Sequence, residues 1–333
     1  MIEKSNLKNK KRFLKSLYIV NFIIFLIVRC NDIYENWIKS EFNPVLGNNQ
    51  TGTVFDPCVI KHENVFKMFV SWRKRGSIAL SISKDGINWS DLKIILNKGN
   101  NKGWERIVNR ASVIVLNKTF YLWYTGQNHG KSKIGLAMSN NGYEFKKYKN
   151  NPIIIPEYEY EKESVMNPHI IYDNDERIFK MWYSSGETYE PDVICYATSK
   201  DGINWIKYEK NPIFFPNLNK SSLDYYKIGG CDVHKISNKK YIMFYIGYSD
   251  INRARIFVAI SRNGINKWKR SIYPIIKPTK DHFDNNACYK PSAFFDKRNN
   301  QWKIWYNGRN KNKEFIGFAT HNNFHLVYSN FFL

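Results

Sequence analysis

Apolar and polar residues alternate along this chain in short runs, first in Ile78-Ala79-Leu80-Ser81-Ile82 and again at 134–138, 194–198, 256–260 and 316–320. Period-two alternation of this length predicts a half-buried strand, and no 3.6-residue period competes with it in these segments. Each run leads into a turn. Ser-Lys-Asp-Gly-Ile-Asn-Trp at 83–89 recurs letter for letter at 199–205, with variants at 139–145 and 261–268 and a degenerate copy from His321 to Phe324. The spacing from Ser83 through to His321 is 56, 60, 62 and 60 residues.

Two more strands are predicted upstream of every run. An aromatic one lies at 68–72, 122–124, 181–183, 243–245 and 304–306. An inner one begins at Asp56-Pro57, Arg110-Ala111, Asn167-Pro168, Cys231-Asp232 and Lys290-Pro291. A fourth strand follows the turn, as at 151–155 and 211–215. Four short strands per unit of about sixty residues are the makings of a propeller blade. The expected fold is therefore all-β, a five-bladed β-propeller with four-stranded antiparallel blades over 37–333 and a short N-terminal hydrophobic helix before it. Residues 37–46 parallel the outer strand at 205–214, so the chain start is expected to complete the fifth blade and hide its open edge. The alternative is that 324–331 fill that place. In the repeated turn, Asp85 and Asp201 are expected to accept hydrogen bonds from turn amides, with Gly at positive φ and Trp between blades.

Composition adds limits. With 43% hydrophobic and 16% aromatic residues the chain can bury a large core, and the repeats leave no room for a second domain. The net charge of +22 favours acidic partners, an anionic glycan among them, although Lys, Asn and Ile are abundant everywhere. The basic residues form no block interleaved with aromatics, so nucleic acid is not an expected partner. The five cysteines are widely spaced with no C-x-x-C pair, which argues against a disulfide framework or a zinc site, and no metal or cofactor is expected. Before the repeats, a basic stretch at 8–15 precedes an apolar run at 17–28. This predicts export or membrane attachment through residues 13–29, the alternative being an amphipathic helix on a cytoplasmic propeller.

In such a ring the inner strands line a central channel. Their first residues share one face with the loops between second and third strands, so a funnel there should hold Asp56, Arg110, Asn167, Cys231 with Asp232, and Lys290, together with Trp72, His169, Glu187 and Tyr289. Aromatic rings with carboxylates and cations suit sugar binding.

Five repeats opening on Phe55-Asp56-Pro57 resemble the arabinanase, levansucrase and invertase superfamily of glycoside hydrolases, families 43 and 32. The resemblance implies a first-blade Asp acting as base or nucleophile, a second Asp that tunes pKa and a Glu in the next blade as general acid. Asp56 matches the first. The second falls on Asn167 and the third on Cys231, beside Asp232, and both depart from the pattern. Asp232 serves only if its strand is bulged or begins later; otherwise the acid comes from a loop, with Glu163 ahead of Glu105 and Glu187, or from His169 or His234. A glycosidase with Asp56, Asp232 and Glu163 in catalytic roles is the leading expectation. A carbohydrate-binding propeller that has lost its acid is the alternative, and a second carboxylate about 5 to 10 Å from Asp56 separates the two.

Overall fold

A computed structural model describes residues 37–322 and arranges them as five sheets of four strands. The first two strands in the chain, β1 (Ile38–Lys39) and β2 (Val54–His62), belong to different sheets. Blade one continues from β2 through β3 (Val65–Trp72), β4 (Ser77–Ser83) and β5 (Lys93–Leu96). Blade two is β6 (Ile107–Leu116), β7 (Thr119–Asn128), β8 (Lys131–Ser139) and β9 (Lys146–Lys147), and blade three is β10 (Val165–Asp173), β11 (Ile178–Ser185), β12 (Val193–Ser199) and β13 (Ile206–Lys207). Blade four is β14 (Lys227–Ser237), β15 (Lys240–Asp250), β16 (Arg253–Ser261) and β17 (Lys269–Arg270), and β18 (Ala287–Asp296), β19 (Gln301–Asn310) and β20 (Lys313–His321) make most of blade five. All pairings within the sheets are antiparallel, and the inner strands β2, β6, β10, β14 and β18 touch one another in a closed ring. The all-β five-bladed propeller expected from the repeats is the observed fold.

The fourth place in blade five is taken by β1, with Ile38 opposite Thr320. The equivalence with other outer strands extends to side chains. Asn43 Oδ1 accepts from Phe318 N–H at 2.7 Å, as Asn151 does from Leu136 at 2.9 Å and Asn211 from Tyr196 at 2.8 Å. The edge of β20 that would otherwise be open is thereby paired. The alternative closing segment at 324–331 lies outside the described residues. So do the N-terminal helix and the attachment segment at 13–29; among the described residues no helix is long and apolar enough to cross a membrane.

Apolar side chains fill the gaps between neighbouring blades, with Trp123, Trp182, Trp302 and Trp305 fully buried. The repeated turn is part of this seam. Trp123, Trp182 and Trp305 donate their indole N–H to Gly202, Gly264 and Gly86 carbonyls of the adjoining blade at 2.9, 2.7 and 2.8 Å. Gly86 has φ 85°, and a Cβ there would stand 2.7 Å from the Trp305 ring, so both backbone and space demand glycine. Asp85 accepts from the backbone amides of Ile87 and Asn88, and Asp201 from those of Ile203 and Asn204, the turn-building role their spacing predicts.

Candidate active site

Every inner strand carries a bulge near its start. Pairing with the second strand breaks between Phe55 and Cys58, Asn109 and Ser112, Met166 and His169, Ile228 and Cys231, and Tyr289 and Ser292. The residue after the break point is Asp56, Arg110, Asn167 and Lys290 in four blades, with φ of 53, 56, 51 and 45°. Non-glycine residues seldom adopt positive φ, and a bulge re-aims its side chain away from the pleat. In the fourth blade the matching residue is Gly229, so the assignment of Cys231 to this position is corrected by two residues. Strand β14 starts earlier than its hydrophobic pattern indicates, because Gly229-Gly230 contributes no side chains to that pattern.

Above the bulges a cavity of about 300 Å³ brings together Asp56, Trp72, Arg110, Asn167 and Tyr289 from the expected set. It also holds Glu190 and Glu314, two carboxylates that sequence reasoning left inside loop ranges without singling them out. Asp56 is 8% exposed, its Oδ2 has no hydrogen-bond partner, and Arg110 Nε stands 3.6 Å from it. Burial raises its pKa above the ordinary carboxylate value, with Arg110 and Lys290 pulling the other way. Glu190 is also raised by burial, opposed by the Tyr248 hydroxyl that hydrogen-bonds it and by Arg110 and Arg309; among the described residues it forms no ion pair.

Arg110 joins these two carboxyls. While its Nε faces Asp56, its terminal nitrogens donate to the carbonyls of Thr188 at 3.0 Å and Tyr189 at 3.3 Å. The loop carrying Glu190 is thus fixed over the channel by the residue that neutralises Asp56. Asn167 is held from below by Thr125 Oγ1, which accepts its backbone N–H at 3.1 Å. Trp72 donates its indole N–H to Thr51 O at 2.8 Å, leaving a ring face in the cavity wall. On the far side Glu314 pairs with Arg73 at 2.6 Å, and the Arg73 guanidinium lies 4.6 Å over the Phe55 ring.

Asp232, His169 and Lys290 line a different cavity, of about 180 Å³, on the other side of the bulges. Asp232 Oδ2 accepts from Ala293 N–H at 2.7 Å across the blade boundary. The equivalent amides are bound by serines elsewhere in the ring, Val59 by Ser292 at 2.9 Å and Ile170 by Ser112 at 3.1 Å. Asp232 therefore fills a serine's place as a link between blades. Burial would raise its pKa, but His234 Nε2 at 2.8 Å, His169 at 3.7 Å and the Ala293 amide hold it down at about 2. His169 is depressed to about 4, chiefly by burial. The strand is bulged, as substitution by Asp232 required, yet the bulge turns Gly229 and not Asp232 toward the funnel.

Glu163 and Glu187 stand apart from the funnel cavity. Glu163 is exposed and paired with Lys131 at 2.6 Å, and Glu187 is exposed and paired with Lys227 at 2.6 Å. Of the two carboxylates that were not singled out, Glu190 had one local signal: it is followed by Pro191, which stiffens the loop at that point. Among the described residues no group of three His, Cys, Asp or Glu side chains is arranged to hold a metal ion.

The family model "Glycosyl hydrolases family 32 N-terminal domain" matches residues 79–216. A 1,2-beta-oligomannan phosphorylase of Thermoanaerobacter sp. (strain X514) is 29% identical over 208 residues, covering 59% of this chain and 62% of the relative. The chain spans less than two thirds of the length of the curated relatives it matches first. A thermostable family-43 glycoside hydrolase superposes with a TM-score of 0.65 at 20% identity over 83% of this chain and 90% of its own. A structure described by the words "The GH130 family of mannoside phosphorylases contains glycoside hydrolases that target beta-1,2 mannosidic linkages in Candida mannan" superposes with a TM-score of 0.66 at 15% identity over 85% and 93%. The family match and the shared fold support the resemblance to the five-bladed propeller glycoside hydrolases.

Proposed function

We propose that the funnel breaks a glycosidic bond of an oligosaccharide, with Asp56 as base or nucleophile and Glu190 as proton donor. The observation that carries this reading is the pair itself: two carboxyls raised by burial, from different blades, in one cavity. Glycosidic cleavage needs one carboxyl protonated and one ionised. Arg110 at 3.6 Å biases Asp56 toward the anion, and burial favours the proton on Glu190. Glu190 gives that proton to the leaving oxygen as the bond from the anomeric carbon breaks, and Asp56 attacks that carbon or takes a proton from the acceptor that does. Trp72 and Tyr289 offer ring faces to the sugar, and Asn167 offers an amide to its hydroxyls.

The acceptor is water or phosphate. Arg73, Arg110 and Arg309 all line the funnel and favour an anion there, and similarity to a phosphorylase makes inorganic phosphate the acceptor to compare with water. The test is turnover of mannose-containing oligosaccharides and a panel of aryl glycosides, with and without inorganic phosphate, beside Asp56→Asn as control. Release of sugar or sugar 1-phosphate that Asp56→Asn abolishes supports the reading. Binding of the sugars without turnover in the unaltered protein supports a carbohydrate-binding propeller instead, and equal turnover by both proteins removes Asp56 from the reaction.

A further inference from the structure

The rim of the funnel is electrostatically uneven. Around blades one to three, many of its cations meet acids: Arg73 pairs with Glu314 at 2.6 Å, Lys131 with Glu163 at 2.6 Å, Lys162 with Asp192 at 2.7 Å and Lys227 with Glu187 at 2.6 Å. The gap between blades four and five is different. A groove of about 1030 Å³ opens there, and it carries Arg253 and Arg255 from the β15–β16 hairpin, Lys277 from the segment between the blades, and Arg309 and Lys311 from the β19–β20 hairpin. Asp250 is its sole acidic lining residue and stands 3.7 Å from Arg253. Among the described residues, Arg255, Lys277, Arg309 and Lys311 have no carboxylate within ion-pair distance.

These cations are held in place, not simply scattered on the surface. Arg255 donates to Ser249 Oγ at 2.9 Å, and Arg309 donates to Asn252 O at 2.7 Å while its guanidinium stands 5.6 Å from the Tyr289 ring. Arg309 lines the groove and the funnel together, so the two cavities share a wall. Asn252, Asn285 and Asn286 add amides suited to hydroxyls along the same groove. Burial and the neighbouring Arg253 both disfavour the charge of Arg255, so an anion in the groove would relieve an existing electrostatic cost.

We infer that the groove between blades four and five binds the acidic portion of a glycan whose cleavable end lies in the funnel, making the substrate a carboxylated or phosphorylated oligosaccharide. This rests on the funnel being a carbohydrate site. Spaced cations that converge from three chain segments match a polyanion with charges along its length, and the asparagines and the shared wall favour a sugar backbone continuous with the funnel.

The test is calorimetric binding of a neutral mannan oligosaccharide, a phosphorylated mannan oligosaccharide and an oligogalacturonate, to the unaltered protein and to Arg255→Gln/Lys311→Gln, whose residues lie outside the funnel. One acidic ligand is expected to bind about five- to tenfold more tightly than the neutral one at low salt. That preference should vanish in the double variant and at high salt, with neutral binding and melting temperature unchanged. Whichever acidic ligand shows the preference identifies the anionic group. Binding of the neutral oligosaccharide with no preference for either acidic one overturns the groove and leaves the funnel reading standing. Absence of binding by all three overturns both, and tighter binding of a single-stranded oligonucleotide than of any glycan overturns the assignment to a glycan.

Discussion

Two buried carboxylates on the propeller axis, Asp56 and Asp232, are 8% and 6% exposed and yet lie in opposite electrostatic states. Below the bulges Asp232 Oδ2 accepts the Ala293 amide while the His234 and His169 rings stand 2.8 and 3.7 Å from its other oxygen, and its pKa falls to about 2. Above them Asp56 has an unbonded oxygen and one cation at 3.6 Å, and its pKa rises. Burial penalises both; what differs is how many partners answer it. Asp232 accepts the Ala293 amide across a blade boundary and so links blades, whereas Asp56 faces the funnel cavity and is the carboxylate placed to meet a substrate.

The sharpest way to break this contrast is to remove each group in turn. Asp56→Asn should lower turnover by about 10² to 10⁴, with a melting temperature equal to or above that of the unaltered protein, since a neutral amide suits the buried site better. Asp232→Ala should do the reverse. Unpairing the Ala293 amide and the His234 ring should cost about 2 to 4 kcal/mol, read by denaturant unfolding, while the turnover of the folded fraction stays within about twofold. If Asp232→Ala abolished turnover at unchanged stability, the two roles would be exchanged.

Glu190→Gln refines the comparison within the funnel. A proton donor must be protonated and a base ionised, so activity should fall on the acid side as Asp56 gains a proton and on the alkaline side as Glu190 loses one. Both raised pKa values move these limbs above the ordinary carboxylate range. Glu190→Gln should flatten the alkaline limb of the kcat profile and leave the acid limb in place, and a profile unchanged in shape would dismiss Glu190 as the donor. Arg110→Met should release the loop that bears Glu190 and weaken sugar binding, because it severs the contacts to Thr188 and Tyr189.

The smallest effect concerns the lower cavity. His169 has a folded pKa of about 4, below its ordinary value of 6.5, so the unfolded chain takes up the proton first. Its contribution to stability is present above pH 6.5 and is lost as pH falls from 6.5 toward 4, a change of at most about 3 kcal/mol. In His169→Gln, unfolding free energy measured across that window should lose this part of its slope.

The sequence made the architecture legible because each blade repeats a period-two pattern and a glycine turn, and local chemistry alone dictates both. Even the closing strand was readable, since Trp37 to Leu46 copies an outer strand with its asparagine in place. The funnel was less legible. Asp56, Arg110 and Asn167 announced themselves by starting an inner strand, whereas Gly229 hid the fourth bulge and shifted attention to Cys231 and Asp232. Glu190 reaches the funnel from the loop between β11 and β12, whose direction depends on contacts such as Arg110 to Thr188, and Glu314 reaches it from the first residues of β20; no hydrophobic periodicity marks either. Glu163 looked equivalent in sequence, and only its pairing with Lys131 shows that it turns to the surface.

The most direct measurement is a crystal structure of Asp56→Asn soaked with an oligosaccharide that the unaltered protein cleaves. The account predicts a sugar in the upper cavity with its scissile oxygen between residue 56 and the Glu190 carboxyl, and no ligand beside Asp232. A sugar seated below the bulges, or one bound in the funnel with its cleavable bond out of reach of residue 56, would contradict it.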